Sequence, residues 1–133
     1  TGSIVAAGLA VADFPIAVMS RLYLDLASLL FGSRLNAQQR STRLRAILTA
    51  VFGGQLLYTS GNSADAATGS SAGNKYFCAI ATDMSTMQFR PYVFRSFPAH
   101  SPYPLGALLH DASSHTASVV DALMASTAAP TYF

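Results

Sequence analysis

The chain has 133 residues, enough for one domain of ordinary size, and 51% of them are hydrophobic, which supplies a core and excludes disorder as a global description. Only 11% are charged and the net charge is +2, too little positive charge for the phosphate-neutralising surface of a nucleic-acid binder. A single cysteine, Cys78, excludes an internal disulfide and a zinc-binding cysteine set. Its place in an apolar run predicts a small core hydrophobe. The low charge and a mean hydropathy of +0.35 leave two readings open: a chain covered by partners, or one that works beside lipid. With no initiator methionine and no basic stretch leading into a cleavable apolar one, residue 1 reads as an internal position of a longer chain.

The apolar opening, residues 1–20, is interrupted by Asp13 and Pro15, and Arg21 and Asp25 follow, so a membrane-spanning helix of about 20 mostly uncharged residues does not fit. Residues 2–12, GSIVAAGLAVA, are small and apolar on nearly every side and predict a buried helix. Asp13 is placed to cap a second helix and Pro15 suits its first turn. Ile16, Met19, Leu22, Tyr23, Leu26, Leu29 and Leu30 then recur at helical spacing, up to a stop at Gly32. Arg21 and Asp25, four apart, predict a weak surface pair. Asn36 and Gln39 have the spacing of a capping box, and Leu44, Ile47, Leu48, Val51 and Phe52 form the stripe of a third helix ending at Gly53-Gly54. Arg34, Arg40, Arg43 and Arg45 cluster near its start. They read as a solvated face rather than an anionic-lipid contact, because no aromatic wedge accompanies them.

Residues 59–74 are a low-complexity Gly/Ser/Ala/Asn stretch and predict a loop. Within it, GSSAG at 69–73 fits the G-x-S-x-G pattern of a nucleophile elbow with Ser71 as the serine. An elbow requires a strand before the serine and a helix after it. Here a loop precedes and a β-rich run, KYFCAIATDM (75–84), follows, so Ser71 is not expected to be a nucleophile. A second strand, PYVFRSF (91–97), pairs with the first through the connection MSTMQFR. Residues 98–116 read as a loop, and Ser118 or Thr116 caps a last helix, SVVDALMAS, before Pro130. His100, His110 and His115 share that loop with Asp111, but their spacing matches no zinc pattern and predicts loop histidines. Asp83, at a strand end, predicts a turn former rather than a catalytic group.

Read together, the two ends are more specific. TGSIVAAGL resembles the closing half of the elbow of patatin-like phospholipases, in which G-x-S-x-G enters a small-residue helix; Thr1 and Gly2 would be its last two positions. AIATDMSTMQFRPYVFRSF resembles that family's strand, Thr-Asp, connection, and strand ending in Phe-Arg, here Phe94-Arg95. VVDALMASTAAPTYF is similar to its helix followed by Ala-Ser-x-Ala-x-Pro-x-Phe, matched by Ala125, Ser126, Ala128, Pro130 and Phe133. LYLDLASLLF and LRAILTAVFGGQLL look like the two intervening helices. The resemblance covers the whole chain, most strongly at 76–97 and 119–133 and weakly at 53–75, and its closest flavour is the calcium-independent phospholipase A2 and plant patatin group.

The resemblance implies a three-layer α/β fold with helices packed on a mainly parallel sheet, of which 1–133 is a partial domain. It also implies a lipid acyl hydrolase with a Ser-Asp dyad and an acyl-enzyme intermediate, requiring neither cofactor nor metal. Its substrate would be a phospholipid or other acyl lipid, and its location cytoplasmic or at a peripheral membrane surface. The nucleophile is then expected just before Thr1, whose backbone N–H would help form the oxyanion hole, and the dyad aspartate in an Asp-Gly motif after Phe133. None of Asp13, Asp25, Asp65, Asp83, Asp111 and Asp121 precedes a glycine, so none matches it. Residues 1–133 alone would be inactive and weakly folded. The alternatives are a lipid acyltransferase and a non-catalytic lipid-surface module.

Overall fold

The computed structural model describes residues 2–32, 34–57, 75–84, 89–96, 110–111 and 117–128. They form a mixed α/β arrangement in which the last helix packs against the first strand of a small sheet and the other helices gather around it. The opening helix, α1 (Gly2–Ala10), buries Ile4, Ala7 and Gly8, the i, i+3, i+4 spacing of one face. Gly2 and Ala6 are exposed, so the expected all-round burial is corrected to one-sided burial. The reason is that α1 packs against two other helices and nothing described lies opposite.

Asp13 adopts a left-handed conformation, φ 53°, and pairs with the Lys75 ammonium, which also donates to the Leu9 carbonyl at 3.2 Å. Asp13 therefore does not cap the second helix, α2 (Ile16–Phe31). Pro15 holds the cap position without a side-chain bond, and its carbonyl accepts from Val18 and Met19. Met19, Leu26 and Leu30 are buried, and at the other end the Gly32 N–H closes on the Ser28 carbonyl at 2.8 Å. No ion pair joins Arg21 to Asp25 among the described residues.

The third helix, α3 (Ala37–Phe52), starts with the capping box its spacing predicts: the Gln39 N–H donates to Asn36 Oδ1 at 2.8 Å, and the Asn36 N–H to Gln39 Oε1 at 3.0 Å. Leu44, Leu48 and Phe52 enter the core, with Ile47 and Val51 packed beside them. Gly53, at φ 61°, reverses the chain where a side chain would be strained. The last helix, α4 (Val119–Thr127), is capped by Ser118, whose hydroxyl accepts from the Asp121 N–H at 3.0 Å and donates to its carboxylate at 2.7 Å. The bends flanking α3 and α4 are tied together by Leu57 N–H to the Ala117 carbonyl and Val119 N–H to the Gln55 carbonyl.

Strands β1 (Cys78–Asp83) and β2 (Arg90–Arg95) pair antiparallel, from Cys78 opposite Arg95 to Asp83 opposite Arg90. A two-residue strand, β3 (His110–Asp111), lies parallel to β2, with Tyr92 opposite His110. These two residues were expected in a loop. Phe77 and Ala79 face α4 and are buried, whereas Cys78, on the alternate face, is exposed. The expected core cysteine is thus corrected by the two-residue period of the strand. Carbon surface around it still pushes the thiol pKa up, against the opposing pull of the cross-strand Arg95 guanidinium.

The core gathers around α4, which touches β1, α3 and α1 and buries Val119, Val120, Ala122 and Leu123. Residues 58–74, which include GSSAG and Ser71, and residues 129–133 lie outside the described residues, as does Thr1.

Candidate functional site

Gly2 stands exposed in the first turn of α1, where the helix presents backbone N–H groups with no intrahelical partner. The next residue, Ser3, carries a buried hydroxyl that finds no hydrogen-bond partner. This is the only part of the inferred elbow that the described residues contain.

The aspartates are dispersed. Asp13 is bound to Lys75; Asp25 lies exposed on α2; Asp83 ends β1 on the face shared with Phe77 and Ala79; Asp111 belongs to β3; Asp65 lies outside the described residues. Asp121 binds Arg45 at 2.9 Å, and its pKa is lowered chiefly by the Ser118 hydroxyl and then by Arg45. Both partners are more than half exposed, so this pair orders the start of α4 more than it stabilises the chain. His110 is placed on β3, while His100 and His115 lie outside the described residues, as does Ser71. No group of three or more His, Cys, Asp or Glu among the described residues is close enough to hold a metal ion.

A different feature emerges between α1 and α2. A cavity of about 360 Å³ opens there, lined by Val5, Leu9, Ile16, Tyr23 and Leu24 with Met19 at its floor. A separate, smaller chamber of about 70 Å³ lies among Ile4, Leu26, Leu30, Phe31, Leu44 and Thr127, and Tyr23 lines both. Beside Phe31 stands Arg40, its guanidinium carbon 6.0 Å from the ring centroid and its Nε buried without an acceptor. Of the arginines expected to form a solvated face, Arg45 holds Asp121 and Arg40 packs on an aromatic ring.

The trough was not anticipated, although α2 carries its signal. A one-sided helix needs an apolar stripe of roughly 100°. Ile16, Val18, Leu24 and Phe31 add apolar surface outside the buried Met19, Leu26 and Leu30, more than the core uses. No helix among the described residues is long and apolar enough to cross a membrane. Compared with known proteins, the chain matches no family model, no curated protein and no solved structure.

Proposed function

We propose that residues 1–133 are the stretch between the nucleophile elbow and the dyad aspartate of a patatin-like lipid acyl hydrolase. The observation that carries this reading is that the stretch from Tyr76 to Ala81, at the start of β1, is apolar on both faces. Phe77 and Ala79 lie buried on the side of α4, while Ile80 stands 62% exposed on the other, with Tyr76 exposed four residues before it. A strand apolar on both faces suits a sheet covered by helices on both sides, the three-layer α/β plan, although β1 and β2 pair antiparallel and only β2 and β3 run parallel. The segment order supports it further: a small-residue helix starting at Gly2, a hairpin carrying Thr82-Asp83 and Phe94-Arg95, then a helix running into Ala125-Ser126.

In this reading a serine directly before Thr1 attacks the ester carbonyl. Its proton passes to an aspartate beyond Phe133, the C–O bond to the alcohol breaks, and that alcohol takes up the proton. Water then cleaves the acyl-enzyme by the same route. The developing oxyanion meets the Thr1 N–H and the positive end of the α1 dipole. The chain's own part is to hold α1 against α4 and so aim that end.

The test is covalent labelling of the protein with its flanking residues by a fluorophosphonate, followed by peptide mapping. The label is expected on the serine immediately before Thr1, with Ser71→Ala labelling as the wild type does. Label on Ser71, or none at all, overturns the proposal. Product analysis with an acceptor alcohol present separates hydrolysis from acyl transfer.

A further inference from the structure

We infer that the outward face of α2 is a self-association surface, on which a second copy of this chain lays its own α2 antiparallel about a two-fold axis midway between Arg21 and Asp25. The inference stands on one helix and does not depend on the hydrolase reading.

The helix carries two faces that both suit packing. Met19, Leu26 and Leu30 are buried in the chain's own core. On the opposite side Ala17, Arg21, Leu24 and Ser28 recur at alternating spacings of four and three, the seam of a helix that lies along another helix, and all are exposed. Leu24, at the middle of that seam, is 67% exposed, and Val18 and Leu29 flank it at 48% and 43%. Covering these side chains removes carbon surface from water.

The order of charges selects a second copy over any other apolar partner. Along the row of residues four apart, α2 reads Ala17, Arg21, Asp25, Leu29. Turned end for end by the two-fold axis, the row complements itself. Each Arg21 faces Asp25 of the second copy, each Ala17 faces Leu29, small against large, and Leu24 meets its own counterpart beside the axis. Within one helix a cation placed four residues before a carboxylate is the less favoured order, and Arg21 and Asp25 form no ion pair among the described residues. Across the axis both charges are answered twice, and opposite charges set on an apolar strip fix register and orientation. An anionic lipid surface would instead press its headgroups against Asp25. The row spans roughly 18 Å at the helical rise. One helix face lies at the low end of specific interfaces, below about 1,200 Å², which sets a micromolar rather than a nanomolar dimer.

The test is sedimentation equilibrium of the protein with its flanking residues, at concentrations from about 1 to 200 μM, where a monomer–dimer equilibrium is expected. Arg21→Glu and Asp25→Arg each set like charges against one another across the axis, and each should weaken the dimer about tenfold or more. Mixing these two variants should restore association as a hybrid, because every charge across the hybrid's axis again meets its opposite. Leu24→Glu should abolish the dimer. All three positions are exposed, and native circular dichroism confirms that each variant is folded. The inference is overturned by a monomer at every concentration, whether flanking segments or lipid cover α2 instead, by a dimer that the charge variants leave unchanged, or by variants that stay apart when mixed. None of these outcomes touches the labelling of a serine before Thr1, so the two proposals fail separately.

Discussion

A Cβ placed on Gly8 would overlap the sulfur and end methyl of the Met19 side chain, which would have to swing aside to admit it. Because Met19 can move into the open space beside it and alanine favours the helix, Gly8→Ala is expected to change stability by no more than about 1 kcal/mol in urea unfolding. The two positions should show a coupling in a double-mutant cycle with Met19→Ala, since the three atoms nearest the added methyl all belong to the Met19 side chain. Cys78 should be similarly tolerant. Being exposed, its replacement by serine should change stability by less than about 0.5 kcal/mol, and the thiol should react with a maleimide in the native state. Asp121 gives a pH signature. Its folded pKa lies below the unfolded value near 3.9, so its contribution is present above about pH 4 and is lost as pH falls through the folded value. Asp121→Asn should flatten the acid limb of stability against pH without shifting the neutral plateau's shape.

At the scale of elements, α4 carries the fold because it is the one helix in contact with β1, α3 and α1 together. Leu123 is fully buried there, and Leu123→Ala should cost about 2–5 kcal/mol in denaturant unfolding. Ser118→Ala removes the cap and should cost about 1 kcal/mol. Much of this was legible from local signals. The α3 capping box, the Ser118 cap and the pairing of the two strands depend on neighbours within a few residues, and those neighbours are in the sequence. Asp13 was misread because its side chain answers to Lys75, 62 residues away, rather than to the next helix. Similarly, β3 exists only through pairing with β2, and a two-residue strand has no periodicity to read.

Among the described residues, large apolar side chains stand exposed on the outer face of β1 and along α2, Ile80 on the first and Ile16, Leu24 and Phe31 on the second. Exposed patches of this kind mark surfaces that meet a partner or ligand. The chain alone should bind a hydrophobic dye and melt broadly at low temperature. A sharp transition without dye binding would contradict this expectation. The proposed elbow rests on a pattern of residue types alone, and Thr1, its first remnant, lies outside the described residues. By itself the sequence determined where helices begin and end and which strand residues alternate, because caps and periodicities are local. Which face of each element is covered was decided only by the tertiary structure. Burial depends on what packs opposite, and that is how Cys78 came to the surface, Arg40 came to lie against Phe31, and α2 was left with more apolar surface than the core covers.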